Sequence, residues 1–291
     1  MSMNPIAQET KIAILTDSSC DLELEIIQEY GIEVLPLHII YPDNDFRDRI
    51  DITPQEVYDN LEQVVPKTSL PSLAEIKDVF EKLKENNVTH VLAVHISSGL
   101  SGTFQAVSNI AREFKEMVIE VVDSRTLSMG LGSSVLEAAR ELHRSNDFNK
   151  VVAKAKNILH ESKAFYVLST LEYLKKGGRI GYVAGTIGEL LNIKPIISIN
   201  EEGKYFTYTK VRGREQSLRK LGEVLKEHVQ EKMSNVAILH GGAEEEARAL
   251  EKAAKQLPNV KEVFFGQISP ALGVHTGPGL VGMVIYPVLE S

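Results

Sequence analysis

The feature that most limits the fold is an alternation repeated through the first half of the chain. Short β-branched apolar runs are each followed by longer segments of helical periodicity. The runs at 11–16, 33–40, 90–96 and 118–123 are short and mainly apolar, which suits strands buried on both faces. Helical patterns follow at 21–30, 54–65, 72–86, 103–116, 127–144 and 148–161. Asp21, Thr53, Ser72 and either Ser101 or Thr103 stand where helix caps belong, and Pro54 suits a first helical position. Strand-then-helix order implies right-handed crossovers and a mostly parallel, doubly wound sheet covered on both sides.

The second half reads differently. Its strand candidates are 164–169, 195–200, 204–211, 236–240, 262–268 and 282–287, with helices at 214–232 and 243–256. Strands 195–200 and 204–211 flank Glu201-Glu202-Gly203, a connection short enough for a hairpin. An antiparallel hairpin does not belong to a pure crossover sheet. A length of 291 residues also exceeds the usual size of one core. The expectation is therefore an α/β protein of two domains. Residues 1–159 form the doubly wound unit, and residues 160–291 form a unit built on a mixed sheet. No internal repeat or low-complexity linker separates them, so they should pack closely, with the cleft between them as the default site.

Composition narrows the function classes. Hydrophobic residues at 43% and charged residues at 25% are ordinary for a globular protein and exclude disordered or collagen-like chains. Mean hydropathy is -0.10 and no apolar run approaches the ~20 residues a bilayer requires, so no membrane span is expected. The opening MSMNPIAQET lacks the basic and apolar regions of a secretion signal, which points to the cytoplasm. Cys20 is the single cysteine; it reads as a buried thiol beside a helix start and rules out an internal disulfide or a cysteine metal cluster. The net charge of -8 disfavours nucleic acid and anionic membrane surfaces as partners. That charge is uneven: residues 160–291 hold 17 Lys and Arg against 15 Asp and Glu, so the second half could face an acidic partner.

Segments rich in Ser, Thr and Gly stand at the ends of the expected strands: Asp17-Ser18-Ser19, Thr68-Ser69-Leu70-Pro71-Ser72, SSGLSGT at 97–103, Asp123-Ser124 and His275-Thr276-Gly277-Pro278-Gly279. In an open parallel sheet, ligands sit beyond the C-terminal strand ends, where loops and helix starts present hydroxyls and backbone N–H groups. Such a surface suits a carboxylate or a phosphate. Taken singly, these segments also serve as ordinary caps and turns. The run at 277–282 satisfies G-x-G-x-x-G but leads into a strand instead of opening a helix, so it is not a dinucleotide fingerprint. No phosphate loop is present, since Gly203-Lys204 is followed by Tyr205. Ser101, His275 and Asp123 supply the side chains of a hydrolytic triad, yet Gly99-Leu100-Ser101-Gly102 misses the G-x-S-x-G elbow by one residue. The eight histidines show no metal-ligand spacing. His275 differs from the others in lying among Gly, Thr and Pro in what reads as a loop. Two basic stretches, Lys175-Lys176-Gly177-Gly178-Arg179 and Lys210-Val211-Arg212-Gly213-Arg214, are either solvated turns or sites for an acidic surface or phosphate.

Together these loops resemble the DegV family of bacterial fatty-acid-binding proteins, associated with a fatty acid kinase. The matching pieces are TDSS at 16–19, TSLPS at 68–72, SSGLSGT at 97–103, DS at 123–124, LEYLKKGGRI at 171–180 and HTGPG at 275–279, in the family's order. The resemblance implies two α/β domains with a long-chain fatty acid between or within them and its carboxylate at the interdomain cleft. Ser101 and the Gly102 N–H would bind the carboxylate, Thr68 or Ser69 would add a hydroxyl, and His275 with Thr276 would close the polar end. It further implies a non-enzymatic carrier with no cofactor or metal, whose bound acid a separate kinase converts to an acyl phosphate; Arg212 or Arg214 would dock that kinase. A tail of roughly 14 methylenes gains on the order of 11 kcal/mol on burial, so affinity resides in the tail and the polar contacts set direction. The rival readings are an acyl-ester hydrolase using Ser101 and His275 and a phosphotransfer subunit resembling dihydroxyacetone kinases.

Overall fold

The computed structural model describes residues 10–186, 192–230 and 232–289. The first half runs β1 (Ile12–Asp17), a 3-10 turn (Ser18–Cys20), α1 (Leu24–Tyr30), β2 (Glu33–Leu35), β3 (His38–Ile40), β4 (Asp45–Arg47), α2 (Pro54–Asn60), β5 (Lys67–Ser69) and α3 (Leu73–Glu85). It continues with β6 (His90–His95), α4 (Thr103–Ala111), β7 (Val118–Asp123), α5 (Met129–Ser145) and α6 (Phe148–Glu161). As the alternation requires, β2-β1-β6-β7 form an all-parallel sheet.

One expected strand breaks in two. Pro36 has no N–H to give a ladder and stops the 33–40 run, after which Leu37 N–H donates to Ser18 Oγ at 3.0 Å. The chain beyond it, β3, joins β4 and β5 in a small antiparallel sheet that the sequence reading did not contain. Thr53 with Glu56 and Ser72 with Glu75 form capping boxes at α2 and α3, as their spacing predicts. Asp21 does not open α1, whose N-cap position is Glu23; it closes the 3-10 turn with a left-handed φ of 53° and turns its carboxylate across to Ser128 and Ser269.

The second half contains β8 (Lys163–Val167), α7 (Glu172–Lys176), a 3-10 turn (Gly181–Thr186), β9 (Ile196–Ile199), β10 (Tyr205–Thr209), α8 (Arg214–His228) and β11 (Ser234–Gly241). It closes with α9 (Glu244–Ala254), β12 (Val260–Gln267), α10 (Pro270–Thr276) and β13 (Leu280–Pro287). Its sheet has the order β10-β9-β8-β13-β11-β12 and is mixed, with only β11 and β12 parallel. The hairpin joins β9 and β10, as the short connection predicts. His275, expected in a loop, lies in the last turn of α10, a helix opened by Pro270. The run at 277–282 leads into β13, a strand, as read.

The central core is continuous across both halves. Ile14 and Leu92 of the parallel sheet, Leu131 and Leu136 of α5, Ile158 of α6, and Tyr166, Val284 and Tyr286 of the mixed sheet belong to one buried cluster. Helix α5 is buried nearly all round because a sheet lies on each side of it. Among the described residues, no helix is long and apolar enough to cross a membrane.

Candidate functional site

Four segments meet at the seam between the halves. Strand β5 supplies Thr68 and Ser69, the turn before α4 supplies Leu100 and Ser101, the turn after α7 supplies Arg179, and α10 supplies Leu272 and His275. They line a cavity of about 40 Å³. A second cavity of about 40 Å³ abuts it and shares Leu127, Tyr205 and Leu272 with it. The first has hydroxyls, an imidazole and a guanidinium in its wall. The second is almost wholly apolar, walled by Tyr166, Leu239, Leu280 and Val284. On the solvent side, an open cleft of about 610 Å³ is bordered by Lys67 and Lys176 and shares Thr68, Arg179 and His275 with the polar cavity. Those shared side chains form a partition between cleft and interior.

His275 is the centre of the partition. Its Nε2 is 2.7 Å from Thr68 Oγ1, while its Nδ1 is enclosed and hydrogen-bonds to none of the described residues. Burial, followed by the positive charge of Arg179, lowers its pKa to about 4, so the imidazole is neutral at physiological pH. Gly177 lies against the ring. A Cβ there would fall 2.1 Å from Nδ1, which is why no side chain fits at the first glycine of the GGR turn. Arg179 donates from Nε to Leu100 O at 3.3 Å and from Nη1 to Gly177 O at 2.7 Å, which fixes the guanidinium beside the cavity on backbone carbonyls.

Buried carboxylates aim α10. Asp48 accepts the Ala271 N–H at 2.9 Å and the Ser18 hydroxyl at 2.6 Å. Ser18 in turn accepts from Leu37 N, so one carboxylate fixes two walls of the cavity, Leu37 and the start of α10. Asp21 accepts the Ser269 N–H at 2.8 Å and the Ser128 hydroxyl at 2.5 Å. Burial raises Asp21 to about 7 and Asp48 to about 6, partly offset by these hydrogen bonds and by Arg49. Asp17 accepts from Ile96 N–H at 2.9 Å and meets His95 Nδ1 at 3.0 Å, which anchors another wall residue.

The remaining expected residues divide. Ser101 Oγ contacts Thr103 Oγ1 at 2.8 Å and accepts from Thr103 N at 3.3 Å, presenting its hydroxyl at the start of α4. Ser69 Oγ donates to Leu70 O at 3.0 Å. Gly102 sits just before α4, ahead of the first turn, where backbone donors lack intrahelical partners. Thr276 directs its hydroxyl into its own helix, 3.1 Å from Leu272 O, and lines the apolar cavity rather than the polar one. Arg214 forks onto Glu246 at 3.1 and 2.5 Å, tying α8 to α9. Arg212 is exposed. Sequence alone leaves Arg179 in a basic stretch that suits either a solvated turn or a site for an acidic surface or phosphate; its position in the cavity wall follows from the fold. The hydrolytic arrangement does not form: Ser101 engages Thr103, His275 engages Thr68, and Asp123 accepts from Ser98 N, Ser98 Oγ and Arg125 N. Among the described residues, no cluster of three or more His, Cys, Asp or Glu is gathered as metal ligands would be.

Fold and site together define an α/β protein in which a polar cavity at the seam between the halves abuts an apolar cavity against the mixed sheet. The DegV family model, described as uncharacterised, matches residues 11–288. The chain belongs to the DegV family. A DegV domain-containing protein of Clostridium acetobutylicum is 45% identical over 276 residues, covering 94% of this chain and 98% of its own. The structure titled as fatty acid binding of a DegV family protein from Thermus thermophilus superposes with a TM-score of 0.90 at 30% identity, covering 96% of this chain and all of that one. A stearic-acid-binding protein from Eubacterium ventriosum gives a TM-score of 0.87 at 26% identity, over 95% of this chain and 98% of its own.

Proposed function

We propose that the protein binds a long-chain fatty acid, with the carboxylate among Thr68, Ser69, Ser101, Gly102 and His275 and the hydrocarbon in the apolar cavity beyond. One observation carries this reading: the polar and apolar cavities abut and share Leu127, Tyr205 and Leu272. Each cavity is smaller than the tail, so an acyl chain seats only as those three side chains part and the apolar wall opens around it. The tail supplies the affinity, on the order of 11 kcal/mol for roughly 14 methylenes, and burial of the carboxylate is tolerated because hydroxyls and a cation meet it. Taking 1–159 and 160–291 as the domains, the first supplies Thr68, Ser69, Ser101 and Gly102 and the second Arg179 and His275, so the head group bridges them, while Thr276 meets the tail in the apolar cavity. The fatty acid ligands named for the Thermus and Eubacterium proteins favour the same class of molecule.

In this reading the chain is a cytoplasmic carrier with no ATP chemistry of its own. It presents the carboxylate through the outer cleft to a separate kinase, which makes an acyl phosphate. The cations Lys67, Lys176 and Arg179 around that cleft suit an acidic or phosphate-bearing visitor. Exposed Arg212 suits kinase docking better than Arg214, whose guanidinium is already committed to Glu246. Mass spectrometry of an organic extract of the denatured protein tests the core claim. A stoichiometric fatty acid supports it; a ligand-free protein that also refuses added oleate and palmitate defeats it.

A further inference from the structure

We propose that Gly282 sets how deep an acyl chain enters the apolar cavity, and so which chain lengths the protein prefers; the inference rests on the fatty-acid reading above. Gly282 lies in the interior of β13, a central strand, paired with Leu239 on one side and Tyr166 on the other. A glycine there weakens the strand, because it has no side chain to pack and more conformational freedom to lose. Two other glycines of the same run are explained by backbone: Gly277 and Gly279 have φ of +65° and +95°, in or near the left-handed region. Gly282 has no such φ. An added Cβ would meet Tyr166 Cβ at 3.2 Å, Leu280 Cδ2 at 3.5 Å and Phe165 O at 3.6 Å, a close fit that a small shift of the paired strand accommodates.

What the missing side chain leaves is a bare stretch of cavity wall, with Tyr166 and Leu280 close on either side. Along a strand, alternate residues share a face, so Gly282 stands between Leu280 and Val284, and all three line the apolar cavity. A larger residue would project into the room between Tyr166 and Leu280 that the tail would occupy. The G-x-G-x-x-G run therefore divides into a turn made by its first two glycines and an opening made by its third.

The test uses the full chain with Gly282→Ala and Gly282→Val. Valine suits a strand, and alanine asks Tyr166 to yield by only a few tenths of an ångström, so the pair keeps the experiment informative if one variant folds poorly. Affinities are measured for lauric, myristic, palmitic and stearic acids. Gly282→Val should retain laurate and lose the longer acids progressively, by about fourfold for each methylene excluded, with Gly282→Ala shifted less in the same direction. Unchanged ratios among the four acids in the variants, or equal loss of laurate and stearate, would overturn the proposal. A parent protein that takes up none of the acids overturns the fatty-acid reading and this inference together; a parent that binds them while its variants keep the same ratios overturns this inference alone.

Discussion

Thr68 and His275, 207 positions apart in the chain, meet in a 2.7 Å hydrogen bond that closes the seam between the two halves. One side of this pair faces the open cleft and the other faces the polar cavity. Replacing the hydroxyl with an isosteric methyl, Thr68→Val, leaves the imidazole without its partner. The expected cost is about 1–3 kcal/mol of stability together with faster release of bound acid. Chemical denaturation and stopped-flow exchange of a fluorescent fatty acid would show both effects; unchanged values in each would remove the partition role.

Ser101→Ala should separate holding the ligand from presenting it. A hydrogen bond to a charged group contributes about 1.5–3 kcal/mol, against ~11 kcal/mol from the tail. The variant is expected to retain its acid by mass spectrometry while its phosphorylation by a partner kinase falls at least tenfold. Phosphorylation equal to that of the parent would eliminate Ser101 from the head-group contacts.

Gly177→Ala places a methyl 2.1 Å from His275 Nδ1 and must displace the ring, which breaks its contact with Thr68. Overpacking of this kind costs about 1–3 kcal/mol. The double variant Gly177→Ala/His275→Ala should be less destabilised than the two single effects predict, because the clash has gone. Strict additivity would mean that the glycine serves some other purpose.

The pH dependence of stability has two opposed parts. His275, lowered from 6.5 to about 4, stabilises the fold fully above about pH 6.5 and loses that contribution as pH falls toward 4. Asp48, raised from 3.8 to about 6, contributes fully below about pH 4 and loses its contribution as pH rises through 6. Asp48→Asn retains a carbonyl for the Ala271 N–H but cannot ionise. Its melting temperature should therefore lie furthest below the parent's below about pH 4, with the gap narrowing as pH rises from about 4 to about 6 and level beyond. A gap that widens with pH would reverse the assignment. In nitrogen-detected NMR, the His275 ring should remain neutral at pH 6.

Much of the architecture was legible because burial on both faces leaves a continuous apolar run, and because Glu201-Glu202-Gly203 is short enough only for a hairpin. The hydroxyls were legible as Ser- and Thr-rich segments, but their convergence was not: Thr68 and Ser69 reach the cavity from β5 of the small antiparallel sheet and His275 from α10, while Asp123 and Ser124 border a different cleft. Pro36 was visible, but where the chain went after it depended on Ser18 receiving the Leu37 N–H. Helix α10 read as a loop because a short Gly- and Pro-flanked stretch has little intrinsic helix preference; tertiary contacts from Asp21 and Asp48 hold its start. Those contacts reach backbone groups 248 and 223 residues away and leave no local pattern. The apolar cavity was invisible in principle, since Tyr166 and Leu239 in its wall are the same kinds of residue that fill a core.

Helices α5 and α6, clasped by a sheet on each side, also limit how cargo is exchanged. A clamshell motion would strip solvent-averse packing from both layers at once, which makes hinge opening costly. On the proposed function, a fatty acid would then pass by way of α10 and the turns around it, and loading and discharge would both be slow beside free diffusion. Delivery without loss into water would then depend on a docked recipient loosening that one short helix.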